Sequence, residues 1–140
     1  MLRATTGLLT ALIIASAAEA APLTVQVEGA SPGQGAVLVG ICSGSLDVAS
    51  CRYSQSVQPP AAEFRVVFPE VAEGSYAVAV FQDLNGNNSL DRDPKGLPQE
   101  PYGFSNGTGR TAPPSFEAAR INVAGPTTAR VRIAKSPLVR

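Results

Sequence analysis

Short runs of β-branched and aromatic residues, bounded by Gly, Pro, Ser and Asn, predict an all-β chain. The expected architecture is an antiparallel immunoglobulin-like or prealbumin-like β-sandwich of about seven strands with one long loop. Three observations carry this. In Phe64-Arg65-Val66-Val67-Phe68 the residues Phe64, Val66 and Phe68 share one face, as in a strand half buried against a core. The run 75–81 is apolar on both faces, as in a central strand. Beyond residue 21 no segment sustains a period near 3.6 with caps, so helices are short at most.

The first twenty residues read as a signal peptide: Arg3 supplies charge, residues 8–18 an apolar run, and Ala18-Glu19-Ala20 a small-residue cleavage signature. The apolar run is far shorter than the roughly twenty residues that span a bilayer. An exported protein, periplasmic or extracellular, is expected, beginning near Ala21 and forming one domain over 21–140. No transmembrane segment is expected in the mature chain. The full chain carries 11 basic and 11 acidic residues, and removal of Arg3 and Glu19 leaves it neutral. Nothing in that balance points to nucleic acid as a partner.

Strands are expected at residues 23–28, 36–42, 63–68, 75–82, 115–123 and 127–133. Cys42 and Cys51 are the two cysteines, and an exporting compartment is where disulfides persist. Pairing them closes a loop of about ten residues, for roughly 2.5 to 3 kcal/mol on the chain-entropy model. A redox or metal pair is the rival, but the spacing is not C-x-x-C and the chain has no histidine. In the central run Tyr76, Val78 and Val80 face one way, and the small Ala77 and Ala79 leave room for a close neighbour on the other. Tyr76 follows the Gly74 turn, where its hydroxyl either reaches back to the turn backbone or the ring merely packs.

Residues 83–114 are rich in Gly, Asn, Pro and Asp and show no convincing strand, and loops this long are usually functional or disordered. Counted from Asp83, oxygen-bearing side chains occupy alternate positions: Asp83, Asn85, Asn87, Ser89, Asp91 and Asp93. Calcium takes six to eight oxygens, and the helix-loop-helix calcium loop supplies them in this alternation, with a carbonyl at the seventh position. Asn88 stands where Gly is usual, at a left-handed turn that Asn tolerates, and Leu90 fills the apolar eighth position. Two features depart from that loop. Its twelfth position is Pro94, not a bidentate glutamate, and a strand precedes it. Asp93 or Glu100 completes the site, or the site is weak and partly completed by water. The plainer alternative is a solvated turn, because Asn, Asp and Gly satisfy turn backbone by themselves. Further on, Tyr102 and Phe104 either form an exposed ligand-binding platform or turn inward and anchor the loop.

The stretch Gly74-Ser75-Tyr76-Ala77-Val78-Ala79-Val80-Phe81-Gln82-Asp83, with Asn85, Asn87, Leu90, Asp91, Gly96, Pro98, Glu100 and Tyr102-Gly103-Phe104-Ser105-Asn106, resembles the bacterial domain-of-unknown-function family 2141. The resemblance covers roughly residues 23–133. It implies a small exported β-protein and leaves the activity open. Members of that family often carry His before the first loop aspartate, and this chain has Gln82 there.

With no histidine, Ser-His-Asp and Cys-His catalysis and histidine-ligated zinc are excluded, and no enzymatic activity is expected. The reading is an exported binding module with calcium as cofactor and a saccharide or protein as candidate ligand. The alternative is a structural or assembly component of the periplasm or cell surface whose acidic loop is only a solvated turn.

Overall fold

In the computed structural model, residues 7, 9–14 and 19–137 are described. The leader positions Arg3, Leu8 and Ala18 lie outside the described residues. Leu9, Leu12, Ile13 and Ile14 are exposed and do not join the core. Among the described residues no helix is long and apolar enough to cross a membrane.

Among the described residues eight strands form two sheets. The first sheet has the order β4-β1-β8, from β1 (Ala20–Glu28), β4 (Glu63–Ala72) and β8 (Thr127–Arg132). The second has the order β3-β2-β5-β6, from β2 (Val37–Cys42), β3 (Cys51–Val57), β5 (Gly74–Gln82) and β6 (Tyr102–Phe104). A further strand, β7 (Arg120–Val123), also pairs with β5. Pairing is antiparallel throughout except between β1 and β8, which run parallel, a departure from the purely antiparallel expectation.

Alternation builds the core. Leu23, Val25 and Val27 of β1, Phe64, Val66 and Phe68 of β4, and Ala129 and Val131 of β8 meet Val37, Val39 and Ile41 of β2 and Tyr76, Val78 and Val80 of β5. Burial of each such side chain contributes about 1.5 to 3 kcal/mol. The one-face assignment of Phe64, Val66 and Phe68 therefore holds, and Arg65 is exposed. Cys42 and Cys51 form a disulfide between β2 and β3.

The opposite face of β5 carries a second, smaller core. Ala77 packs there with Tyr102, Phe104 and Ala119, against partly buried Leu46, Ala79, Phe81, Leu90 and Phe116. The small Ala77 and Ala79 admit the long loop onto the outer face of the sheet.

Three elements differ from the sequence expectation. The edge strand β3 was not expected, because Arg52, Ser54 and Ser56 fill its exposed positions and weaken its apolar signal. Residues 115–123 were expected to be one strand, but Phe116–Ala119 form a helical turn, α1, before β7 begins. Ser115 caps that turn, its Oγ accepting from the Ala118 N–H at 3.1 Å, an N-cap preference that overrides extended propensity. Inside the long loop lies β6, three residues and too short for a periodic signal.

Candidate functional site

The site grows from the end of β5. Gln82 is fully buried. Its side chain accepts from Ser31 N–H at 3.0 Å and donates to the carbonyls of Ser31 at 2.8 Å and Gly35 at 2.9 Å. It locks the turn at residues 31–35 against the start of the loop. Gly35 has φ +123°, and a Cβ there would lie 2.0 Å from the Asp83 carbonyl oxygen, so only glycine fits this approach.

Asp83 comes next, only 2 % exposed. Its Oδ1 accepts from the Gly86 and Asn87 N–H groups at 3.0 and 3.2 Å, and its Oδ2 from Asn88 N–H at 2.8 Å. Glu100, 4 % exposed, closes the other end. Its two oxygens accept from Leu84 N–H at 2.9 Å and Asp91 N–H at 3.2 Å. Hydrogen bonds to a charged acceptor are each worth about 1.5 to 3 kcal/mol when desolvated. These two carboxylates therefore fix the loop backbone from inside. Asn88 has φ 60°, the left-handed conformation expected of it.

Around Asp91 the polar side chains converge. Asn85 Nδ2 donates to Asp91 Oδ2, and Asn87 Nδ2 donates to Asp91 Oδ1 at 2.7 Å. The Asn87 N–H is shared by Asp83 Oδ1 and Asn85 Oδ1 at 3.2 and 3.3 Å. The Ser89 N–H donates to Asn87 Oδ1 at 3.0 Å. Of the residues expected around a metal, Asp83, Asn85, Asn87, Ser89 and Asp91 thus share one bonded turn. Asp93 serves a different one, its Oδ1 accepting from the Lys95 and Leu97 N–H groups, both at 2.9 Å. Glu100 approaches Asp91 through the backbone of that residue, not through its carboxylate. Among the described residues no group of three or more Asp, Glu, His or Cys side chains is placed to hold a metal ion. The converging set is instead one carboxylate with amides.

Tyr102 and Phe104 do not form an exposed platform. They are 5 % and 9 % exposed, set edge to face with ring centroids 6.0 Å apart in the second core. The reason is the close approach of β6 to β8. At Gly103 a Cβ would meet the Arg132 carbonyl oxygen at 2.1 Å, and Tyr102 exchanges backbone hydrogen bonds with Ala134. The two aromatic rings instead line a cleft of about 320 Å³ between residues 92–98 and 109–114.

Three residues of this region have roles that sequence reasoning did not assign. Ser105 Oγ accepts from Val78 N–H at 3.0 Å and donates to the Ala119 carbonyl, filling the break in β5 pairing between β6 and β7. Asn106, at φ 62°, donates from Nδ2 to the carbonyls of Ala118 and Arg120 and so closes the end of α1. The Arg110 guanidinium lies 4.4 Å from the Tyr102 ring centroid and donates to the carbonyls of Tyr102, Ala134 and Lys135. Polar residues spaced closely after an aromatic pair were the available signal for the first two.

Fold and site together define a two-sheet β-sandwich whose long loop is pinned by its own carboxylates and aromatics. The chain belongs to the DUF2141 family, described as an uncharacterized protein conserved in bacteria, whose model matches residues 25–131. Neither the curated proteins nor the solved structures yield a match.

Proposed function

We propose that this protein is an exported binding module whose loop at residues 83–93 is ordered by calcium. The observation that carries the reading is the convergence on Asp91, where two amide NH₂ groups face both carboxylate oxygens as a cation would. Asp83, Asn85, Asn87, the Ser89 carbonyl and Asp91 would hold the ion. All are oxygen donors of the hard type that calcium takes. The Ser89 carbonyl accepts no hydrogen bond among the described residues, which leaves it open for this purpose. Calcium would place a full charge where the neutral amides now offer only N–H donors, once each amide turns its oxygen towards the ion.

Export is supported by the leader composition, by the exposed apolar residues at 9–14, and by the disulfide, which belongs to an oxidising compartment. The ligand would enter the cleft lined by Tyr102 and Phe104, on a loop held by a rigid sheet. Nothing in this reading requires catalysis.

One bonding pattern favours the rival, a structural component with a solvated turn. Asp83, Asp93 and Glu100 already satisfy the loop backbone without any ion. Calorimetric titration of the mature protein separates the two. One calcium per chain with a dissociation constant of about 0.1 to 1 mM, the range of extracellular sites, supports the module. No heat of binding, or equal binding of magnesium, leaves the solvated turn.

A further inference from the structure

We propose that the cleft beside the long loop binds a small organic carboxylate with an apolar acyl or aryl body. This deepens the binding-module reading by naming the ligand class, and it does not depend on calcium. The cleft measures about 320 Å³, within the size range of small-molecule sites, which pair an apolar lining with a few placed polar groups. Leu97, Pro98, Pro113 and the two aromatic rings provide the lining.

The polar groups are of one sign. Arg92, Lys95 and Arg110 all line the cleft, and no Asp or Glu does. Among the described residues the ion pairs are Arg120 with Glu117 and Arg130 with Glu28, so none of these three cations is neutralised by a carboxylate. The acids of the same loop are occupied elsewhere: Asp83, Asp93 and Glu100 accept from backbone N–H groups, and Asp91 accepts from the side-chain amides of Asn85 and Asn87. In a chain whose formal net charge is zero, this is a local segregation of positive charge over an apolar concavity, which raises the local concentration of anions.

The three cations differ in freedom, and Arg92 is held at the rim by donating to the Gly96 carbonyl at 3.0 Å. Arg110 is fixed by three carbonyls and by stacking on Tyr102, so its charge is already positioned and little ordering entropy is lost on binding. Lys95 is exposed at the rim, and its side chain has no partner among the described residues. It is the group able to close over a bound anion. A bare inorganic anion would leave the apolar lining unused, and a neutral sugar would leave the cations unused.

The test is amide-resolved NMR of the mature, disulfide-bonded protein titrated with 4-phenylbutyrate, with 4-phenylbutanol and with inorganic phosphate, in calcium and again in chelator. Saturable shifts at Gly96, Leu97, Gly109 and Thr111 with the acid are expected. The alcohol and phosphate should bind at least roughly tenfold more weakly, a difference of about 1.4 kcal/mol. Lys95→Glu, at an exposed and unpartnered side chain, should keep the fold and weaken the acid by a similar factor. Equal binding of alcohol and acid, equal binding of phosphate, shifts outside the cleft, no shifts at millimolar acid, or an unaffected Lys95→Glu would each overturn the assignment. Calcium-induced shifts are read separately at Asn85, Asn87 and Ser89, so failure of the metal reading is distinguishable from failure of this one.

Discussion

Tyr53 and Tyr76 grip opposite polar groups of one residue: the Tyr53 hydroxyl accepts from the Ala72 N–H at 3.1 Å, while the Tyr76 hydroxyl donates to the Ala72 carbonyl at 2.7 Å. Their rings meet edge to face with centroids 6.2 Å apart. Ala72 ends β4 in the first sheet, whereas both tyrosines belong to the second. The pair therefore fastens one sheet to the other beside the turn that starts β5. Gln55 repeats the device further along β3, donating to the Val67 carbonyl at 2.7 Å.

Removing the Tyr76 hydroxyl tests this fastening. Tyr76→Phe should cost about 1 kcal/mol, the usual net value of one hydrogen bond, read from the urea midpoint at constant slope. Burial, and then the neighbouring Tyr53, raise the Tyr76 hydroxyl above its ordinary value of 10.0. The folded state therefore keeps a proton that the unfolded state has released, so this contribution is intact below pH 10 and is lost as the pH rises further. The wild-type midpoint should fall above pH 10, and Tyr76→Phe should make that fall shallower. A parallel decline in both proteins would contradict the assignment.

Gly103→Ala should destabilise the protein by about 3 kcal/mol or more, because the added methyl meets backbone and not a yielding side chain. The expected local effect is separation of β6 from β8, seen as faster hydrogen exchange at Tyr102 and Ala134, whose amides are paired now. Unchanged exchange there would mean that the two segments do not approach so closely.

Tyr102→Ala and Phe104→Ala should each cost about 3 to 5 kcal/mol, the usual range for emptying a buried aromatic site. Solvent-facing rings would lose no more than about 0.5 kcal/mol. Chemical denaturation of each single variant decides between a buried anchor and an exposed platform.

How much of this was legible in the sequence follows from the strength of each local signal. Strands with an alternating or fully apolar pattern, such as β4 and β5, announce themselves because their inward faces are continuous. The disulfide was legible from the two cysteines together with a leader-like first twenty residues, which raise the expectation of an oxidising compartment. By contrast, β3 is an edge with polar residues on its open face, and β6 is held by tertiary contacts with β8 that no local pattern encodes. In the loop, the alternating Asp83, Asn85, Asn87, Ser89 and Asp91 that spacing offers as metal ligands come together in one hydrogen-bonded turn. That spacing could not tell that Asp93 would cap the next turn or that Glu100 would be spent on backbone N–H groups. Spacing reports which atoms are near along the chain, whereas the direction of a carboxylate is set by which N–H groups the fold leaves unpaired. Gln82 makes the same point, since the residue just before the first loop aspartate is a fully buried clamp on a neighbouring turn.

The most direct measurement is the melting temperature of the protein in millimolar calcium and in chelator, for the wild type and for Asp91→Asn. Calcium near or above its dissociation constant stabilises by about 1 kcal/mol, which for a domain of this size is a rise of roughly 3 to 6 °C. The wild type should show that rise and Asp91→Asn should not. Identical melting of the wild type in both media would contradict the claim that this loop is a calcium site.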